Sequence, residues 1–346
     1  MPVKKVAVLV AGSWGTALAS LLAEIHPEVM VWSRNASEVD DMNQTHMNRR
    51  FFKEVTLSAK LKATLSMEEA VHGAEAIILA APSAAMRGIC SLLRPLLTES
   101  QMKETLIVHV AKGFEAETMK RMTTVIAEEL PEYDANKLVV LSGPSHAEEV
   151  ILQCPTTVVV ASGDVQAAEA AQDLFINAYF RVYTNPDVIG VEVGGALKNI
   201  IALGAGLTEG LGFGDNAKAA LITRGLAEIT RLGVKMGANP LTFAGLAGIG
   251  DLVVTCTSKH SRNWRAGFML GQGKALSEVL ESMGMVVEGV KTTKAAYKLS
   301  RQYDVSMPIT DALYQVLFTG KAPKEAVGDL MGRVKTHEIE EVASNL

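Results

Sequence analysis

The chain has 346 residues, of which 48% are hydrophobic and 21% are charged, and its formal net charge is −5. This length predicts about two domains, and this composition excludes an intrinsically disordered chain. Nucleic-acid-binding proteins usually carry a basic surplus, so we expect no nucleic acid as a partner.

Short apolar runs alternate with helical patterns over residues 1–185. The first run is followed by a helical pattern over Thr16–His26. Apolar runs without polar alternation are typical of parallel strands that helices cover on both faces, so the region is predicted to be a doubly wound α/β domain. The predicted strands are Val6–Val10, Val29–Ser33, Ala76–Ala80, Leu106–Val110, Leu138–Leu141, Thr157–Ala161 and Phe180–Thr184.

The sequence pattern changes after Asn185 and Pro186, where the strand-like runs stop. Residues 186–346 are rich in Ala, Gly, Leu, Glu and Lys, and they contain no repeat, charge block or flexible linker. This pattern predicts an all-α second domain, packed closely on the first with a cleft between the two.

Neither disulfides nor a membrane helix is expected. Cys90, Cys154 and Cys256 are odd in number and widely spaced, which argues against a disulfide framework or a CxxC zinc site and favours reduced thiols in the cytoplasm. No window approaches the ~18 consecutive apolar residues of a membrane helix. We therefore expect a cytoplasmic protein that does not insert into a membrane.

A glycine-rich turn joins the first predicted strand to the first helix. Residues 10–15, Val-Ala-Gly-Ser-Trp-Gly, have the spacing of the dinucleotide fingerprint G-x-G-x-x-G, with Val10 in the place of the first glycine. Gly12 would let the backbone approach a pyrophosphate, and Gly15 would let the helix lie close to the strand. A tight structural turn is the alternative. We expect backbone angles of the β region at Val10, which would then merely extend the strand.

The other predicted strands also end in residues that suit a phosphorylated ligand. Ligands of open α/β sheets bind beyond the carboxyl ends of the strands, where this chain collects glycines, hydroxyls and two cations. Each residue could instead belong to an ordinary surface loop. These strand-end residues are Ser33, Arg34, Asn35, Pro82, Ser83, Lys112, Gly113, Gly143, Pro144 and Ser145.

The end of the second predicted strand indicates which dinucleotide is bound. An NAD site usually has an acidic residue about 20 positions after the fingerprint, where it binds the ribose 2′-hydroxyl. Here no carboxylate occurs before Glu38, whereas Arg34 offers a planar cationic fork for a 2′-phosphate. We therefore expect a preference for NADP(H), with NAD(H) also accepted. A solvated surface arginine is the alternative.

Polar residues in the helical region suggest an acid/base group and a phosphate site. Lys198 lies in an apolar helical stretch, where a lysine is costly unless it lines a cleft; a snorkelling lysine is the alternative. Asp251 follows a glycine-rich turn, and Ser261, Arg262 and Asn263 supply a hydroxyl, a bidentate fork and an amide in succession.

Seven segments of the chain together resemble bacterial NAD(P)-dependent glycerol-3-phosphate dehydrogenases. The resemblance extends over nearly the whole chain, and its segments 141–150 and 210–229 are highly specific. It implies a Rossmann-like N-terminal domain, an all-α C-terminal domain with the active site between them, and a homodimer. It also implies interconversion of dihydroxyacetone phosphate and sn-glycerol 3-phosphate, which supplies phospholipid synthesis. The segments are AGSWGTALA (11–19), AKGFE (111–115), LSGPSHAEEV (141–150), EVGGALKNIIALGAG (192–206), GLGFGDNAKAALITRGLAEI (210–229), AGIGDLVVTC (247–256) and SRN (261–263).

The resemblance also implies a role for individual residues. No metal is expected, because the seven histidines include no H-x-x-x-H pair. Lys198 would be the acid/base group. The dinucleotide would contact Gly12, Ser13, Trp14, Gly15, Arg34, Lys112, Ala147, Arg262, Val286 and Glu288. The substrate would contact Lys112, Gly143, Ser145, Lys198, Asp251, Ser261, Arg262 and Asn263.

Two departures from the family pattern leave other functions open. Val10 replaces the first glycine, and residues 51–54, Phe-Phe-Lys-Glu, replace a Tyr-Leu-Pro-Gly-like turn, where we expect only a local change of the loop. One alternative is a related two-domain hydroxyacid dehydrogenase, which Arg262 and Asn263 argue against. The other is a catalytically silent NADP-binding regulator, which the retention of Lys112 and Lys198 argues against.

Overall fold

A computed structural model describes residues 3–284, 286–335 and 338. The chain divides into two compact units. The first unit contains the described residues through Glu115 together with Lys120–Val188. The second unit contains Ala116–Met119 and the described residues from Ile189 onward.

An eight-stranded sheet forms the centre of the first unit, in the order β3-β2-β1-β4-β5-β6-β7-β8. Its first six strands have the 3-2-1-4-5-6 order of the Rossmann fold. All neighbouring strands pair in parallel except β6 and β7. The strands are β1 Lys5–Leu9, β2 Glu28–Trp32, β3 Leu61–Thr64, β4 Ala76–Leu79, β5 Leu106–His109, β6 Val139–Ser142, β7 Thr156–Ala161 and β8 Phe180–Asn185.

Helices cover both faces of this sheet. Val6 and Val8 of β1 belong to one buried core, whereas Ala7 and Leu9 of the same strand belong to another. Successive side chains of a strand point to opposite faces, so each face of β1 has its own core. The predicted Rossmann-like sheet is confirmed. The helices of this unit are α1 Ser13–Ile25, α2 Ala36–Thr45, α3 Met67–Val71, α4 Met86–Leu93, α5 Glu99–Glu104, α6 Met122–Glu129, α7 Ala147–Val150 and α8 Val165–Phe175.

The sheet differs from the sequence prediction at two places. Strand β3 was not predicted, because its four residues, Leu-Lys-Ala-Thr, form a short polar edge strand without a continuous apolar run. Strand β7 runs antiparallel to β6, although a parallel sheet was expected. The connection from β6 to β7 contains only the one-turn helix α7, whereas parallel neighbours are usually joined by a crossover with a full helix.

Helices are the regular secondary structure of the second unit, and its described residues contain no β-strand, as the sequence predicted. Its central helix is long and apolar enough to cross a membrane by length and composition, but 89% of the apolar window is buried within the protein. That burial is typical of a core helix. The helices are α9 Val188–Gly210, α10 Asp215–Lys235, α11 Asp251–Thr257, α12 Arg262–Gly271, α13 Leu276–Met283, α14 Glu288–Gln302, α15 Pro308–Phe318 and α16 Pro323–Met331.

Two glycines bring α9 and α12 into backbone contact. A Cβ atom on Gly206 of α9 would lie 1.9 Å from the carbonyl oxygen of Trp264, and a Cβ on Gly267 of α12 would lie 1.9 Å from that of Leu203. No larger residue fits at either position without separating the helices. The close approach fixes the first turns of α12 against the second half of α9.

Candidate active site

The turn after β1 has a strained backbone at Val10. Its φ is +83°, a region that β-branched residues very rarely adopt. The expectation of β-region angles is therefore wrong. The Val10 amide donates to the carbonyl of Trp32 at 3.0 Å, and a Cβ on Gly15 would lie 2.1 Å from the Val10 carbonyl oxygen. These contacts on both sides hold Val10 in the conformation that normally belongs to glycine.

The start of α1 fits a dinucleotide phosphate. Gly12 is the N-cap residue and provides no side-chain cap, and a Cβ on it would meet no atom within 4 Å. The first amides of α1, from Ser13 on, are thus without a side-chain acceptor at a helix end that favours anions. The buried Nε1 of Trp14 likewise has no hydrogen-bond partner among the described residues.

A cationic and an anionic side chain, Arg34 and Glu38, follow the end of β2. Arg34 is exposed and makes no hydrogen bond or ion pair within the described part of the chain. Glu38 is too far along the chain for the usual spacing of an NAD site, but it lies in the first turn of α2 and accepts a hydrogen bond from Ser33 Oγ at 2.6 Å. A carboxylate therefore does reach the end of this strand.

Lys112, Gly143 and Ser145 are assembled around one carbonyl group. Lys112 Nζ donates to the Gly143 carbonyl oxygen at 2.8 Å, and Ser145 Oγ donates to the same atom at 2.9 Å. Gly143 has a φ of +115°, which permits the turn after β6. Ala147 is buried at the start of α7, two residues beyond Ser145.

The second unit contains a buried ion pair. Lys198 Nζ on α9 contacts the Asp251 carboxylate on α11 and donates to Thr255 Oγ1 at 2.7 Å. Lys198 is 6% exposed and Asp251 is fully buried. The amine of Lys198, the carboxylate of Asp251 and the hydroxyl of Thr255 thus meet at one buried place.

The start of α12 contains the predicted phosphate-binding residues. Ser261 is the N-cap, and its hydroxyl accepts from the amide of Trp264 at 3.2 Å. Arg262 is exposed and has no ion-pair or hydrogen-bond partner among the described residues. A free guanidinium beside a helix N-terminus suits an anion.

Asn263 links three helices. Its Nδ2 donates to Asn199 Oδ1 on α9 at 2.8 Å, and its Oδ1 accepts from the amide of Gly289 on α14 at 2.8 Å. The carboxamide oxygen is therefore engaged within the protein. Glu288 is the first residue of α14, and Val286 lies just before this helix with 39% of its surface exposed.

The predicted residues thus form separate assemblies, each within one unit. Lys112, Gly143 and Ser145 come together in the first unit, and Lys198 and Asp251 come together in the second. Thr255 and Asn199, which contact Lys198 and Asn263 respectively, were not predicted from the sequence. Thr255 lies one helical turn after Asp251, and Asn199 directly follows Lys198, so helical spacing was the available signal for the first.

Thiols and potential metal ligands form no comparable cluster in the described part of the chain. Cys90 and Cys256 are buried, and burial raises the pKa of each thiol to about 12. Over residues 3–284, 286–335 and 338, no group of three or more His, Cys, Asp or Glu side chains is placed to hold a metal ion.

Comparisons with known proteins agree over the length of the chain. Residues 5–168 match the family model for the NAD-dependent glycerol-3-phosphate dehydrogenase N-terminus, and residues 187–328 match the model for its C-terminus. The chain is 58% identical over 341 residues to a protein of Bacillus pumilus named glycerol-3-phosphate dehydrogenase [NAD(P)+]. The aligned residues cover 99% of this chain and 98% of that protein. A protein of Bacillus subtilis with the same name has the same identity and coverage.

Solved structures agree as well. The crystal structure of glycerol-3-phosphate dehydrogenase from Coxiella burnetii superposes with a TM-score of 0.88 at 36% identity, covering 95% of this chain and 99% of that chain. The yeast enzyme gives a TM-score of 0.82 at 27% identity, covering 96% of this chain and 100% of that chain. The chain therefore belongs to the family of NAD(P)-dependent glycerol-3-phosphate dehydrogenases.

Proposed function

We propose that this protein catalyses the reversible NAD(P)H-dependent reduction of dihydroxyacetone phosphate to sn-glycerol 3-phosphate, which supplies glycerophospholipid synthesis. The observation that carries the proposal is the buried contact of Lys198 with Asp251 and Thr255, in a chain 58% identical to proteins named for this activity. A buried lysine is costly, and a structural role alone would be served as well by apolar residues.

Lys198 is the proton donor in this proposal. Reduction of a ketone places negative charge on its oxygen, and a positioned ammonium both stabilises that charge and delivers the proton. Asp251 keeps Lys198 cationic, and Thr255 fixes the direction of its Nζ through the 2.7 Å hydrogen bond. In the reverse direction the neutral lysine accepts the proton.

The phosphate group of the substrate is assigned to the start of α12. Arg262 supplies a permanent charge, and Ser261 retains a hydroxyl proton to donate while its oxygen caps the helix. Binding at this remote group orients the carbonyl and converts binding energy into rate. We assign Lys112, Gly143, Ser145, Asp251 and Asn263 to the substrate as well. The side-chain oxygen of Asn263 already accepts from Gly289, so Asn263 would contact the substrate through a hydrogen of its side-chain amide.

The first unit is assigned to the dinucleotide, which supplies the hydride when it is bound. The amides of Ser13 and Trp14 at the start of α1 are available to a pyrophosphate. Arg34, exposed and without a partner among the described residues, is assigned to a 2′-phosphate, and this is why we expect NADPH to be preferred over NADH. Further contacts are assigned to Gly12, Gly15, Lys112, Ala147, Arg262, Val286 and Glu288.

We further assign residues 1–185 to dinucleotide binding and residues 186–346 to substrate binding and catalysis, in a cytoplasmic homodimer. Light scattering checks the assembly, since a dimer has twice the chain mass of 36.9 kDa.

The test of the function is the loss of reduced-nicotinamide absorbance with dihydroxyacetone phosphate, run separately with NADPH and NADH. Turnover with both, faster with NADPH, is the expected result. Turnover with 2-keto acids instead would favour a hydroxyacid dehydrogenase. Folded protein that binds NADPH and turns over neither class of substrate would favour a silent regulator.

A further inference from the structure

Two charged side chains that are linked to the end of β2 have no assigned role, Glu38 and Arg50. Glu38 is 7% exposed, and its two carboxylate oxygens are held separately. One accepts from Ser33 Oγ at 2.6 Å, and the other contacts Arg50 Nη1 at 2.6 Å. The side chain of Arg50 is 62% exposed, so its guanidinium keeps donors that face solvent.

The segment that carries Arg50 is tied to the dinucleotide turn. Asn48 is fully buried, and its Nδ2 donates to Thr16 Oγ1 on α1 at 2.9 Å and to the carbonyl of Ala11 at 3.3 Å. Arg50 follows two residues later. Its position is therefore fixed relative to the fingerprint turn at one end and to the end of β2, through Glu38, at the other.

These residues lie where the ribose of a dinucleotide binds in a Rossmann sheet. Strands β1 and β2 are parallel neighbours with Leu9 opposite Trp32, and Ser33 is the first residue after β2. The adenosine ribose binds beyond the carboxyl end of β2, where its 2′ group meets an acidic residue in NAD sites and an arginine in NADP sites. This chain places both kinds of group there.

We propose that Glu38 and Arg50 form a selectivity pair for the ribose 2′ position: Arg50 joins Arg34 on a 2′-phosphate, and Glu38 accepts from a 2′-hydroxyl. The proposal rests on the assignment of the first unit to a dinucleotide. Glu38 repels a phosphate dianion, so it limits the preference for NADPH. Arg34 and Arg50 attract the 2′-phosphate that NADH lacks, so they limit the preference for NADH. The pair thereby accounts for the use of both cofactors by one site.

Binding of two adenine nucleotides tests the pair without any catalytic step. Adenosine 2′,5′-bisphosphate carries the 2′-phosphate, and 5′-AMP carries the 2′-hydroxyl at the same place. Titration calorimetry on the full chain gives both dissociation constants. We expect Arg50→Ala to weaken the bisphosphate about tenfold, as for the loss of one charge-assisted contact, and to change 5′-AMP by less than about twofold. We expect Glu38→Gln to tighten the bisphosphate and to weaken 5′-AMP, each by about threefold to tenfold.

Arg49→Ala is the matched control. Arg49 is the adjacent residue, is comparably exposed and pairs with Asp41 rather than with Glu38. It should change neither dissociation constant. Arg50→Ala alone leaves the Glu38 carboxylate without its cation. The double variant Glu38→Gln/Arg50→Ala removes that carboxylate as well, and so it separates the loss of the Arg50 contact from the repulsion by an unpaired Glu38.

Equal weakening of both nucleotides by Arg50→Ala would show a merely structural ion pair and overturn the proposal. An unchanged ratio of the two dissociation constants in Glu38→Gln would overturn it as well. Failure of the proposed reaction gives a different result: the wild-type chain would bind both nucleotides with the expected variant effects and still not reduce dihydroxyacetone phosphate.

Discussion

Lys198 and Asp251, which are 53 positions apart in the chain, form a buried ion pair. Removing two charges from water costs several kcal/mol per ion, and apolar residues of similar size often stabilise a protein more. The pair is therefore poorly explained by stability alone. The proposed role of Lys198 in proton transfer would give such a pair a function, and it can be tested by substitution.

Replacing Lys198 separates this chemistry from cofactor binding. Lys198→Met should lower kcat about 10³-fold, because the acid/base group is lost, and should leave the dissociation constant of NADPH within about twofold of wild type. Steady-state kinetics and fluorescence titration measure the two quantities. A kcat close to that of the wild type would remove Lys198 from its assigned role.

The same substitution leaves Asp251 as an uncompensated buried charge. We expect Lys198→Met to lower the free energy of unfolding by about 3–5 kcal/mol. The double variant Lys198→Met/Asp251→Asn should recover most of this stability and none of the turnover. That combination distinguishes a lost proton donor from a damaged fold.

Val10 offers a test of backbone strain at the dinucleotide turn. A β-branched residue at a φ of +83° costs about 1–3 kcal/mol, and glycine adopts this conformation without strain. Glycine also costs about 0.5–1 kcal/mol of chain entropy, so Val10→Gly should raise the free energy of unfolding by about 1 kcal/mol. Denaturant unfolding measures the change.

Val10→Ala is the control for this prediction. Alanine relieves the β-branch but keeps a Cβ at positive φ, so it should gain less than glycine does. A glycine variant less stable than wild type would mean that the packing of the Val10 side chain outweighs its strain.

The sheet was predictable from the sequence because its strands depend on local pattern. Continuous apolar runs identified seven of the eight strands, and β3 escaped because Leu-Lys-Ala-Thr contains no such run. The conformation of Val10 was not predictable, since Trp32 and Gly15 impose it through space. Contacts of this kind depend on how elements pack, which one sequence does not state.

The same limit applied to the candidate site. Lys198 and Asp251 were singled out separately by residue type and setting, but their contact depends on the packing of α9 against α11. Glu38 was passed over because distance along the chain was used as the criterion. One turn of α2 returns its carboxylate to Ser33.

The contact between Gly289 and Asn199 predicts that the start of α14 is intolerant of substitution. A Cβ on Gly289 would lie 2.6 Å from the Asn199 carbonyl oxygen and 2.9 Å from Asn263 Oδ1. Gly289→Ala should therefore displace α14 and lower the free energy of unfolding by about 1–3 kcal/mol. Because Val286 and Glu288 are assigned to the dinucleotide, the KM of the Gly289→Ala variant for NADPH should also be higher than that of the wild type.

Gly328→Ala is the matched control for that substitution. Gly328 lies in the exposed part of α16, and a Cβ there would meet no atom within 4 Å. Alanine should stabilise this helix by about 0.5–1 kcal/mol and leave the KM for NADPH unchanged. Equal behaviour of the two alanine variants would contradict the steric argument at Gly289.

Glu228 predicts a loss of stability as pH rises. Its fully buried carboxylate on α10 accepts hydrogen bonds from the amides of Ile309 and Thr310 at the start of α15. Burial raises its pKa from 4.5 to about 7, while these amides, the Thr310 hydroxyl and the charge of Arg231 act in the opposite direction. The folded state therefore holds this proton more tightly than the unfolded state does.

The sign follows from that difference in affinity for the proton. Below about pH 4.5 both states are protonated, and the stabilising effect is fully present. Between about pH 4.5 and 7 only the folded state keeps the proton, so stability falls with rising pH by about 3 kcal/mol in total.

The variant Glu228→Gln tests this assignment. Its side chain cannot ionise, so the fall in stability with pH should be much smaller than in the wild type. We expect its free energy of unfolding at pH 5 to be about 1–2 kcal/mol lower than that of the wild type, because the amide nitrogen of glutamine cannot accept a hydrogen bond from a backbone amide. Unfolding midpoints from pH 5 to 8 measure both slopes. Glu281→Gln, an exposed carboxylate in α13, should retain the wild-type slope, and a wild-type slope in Glu228→Gln as well would assign the pH dependence to other groups.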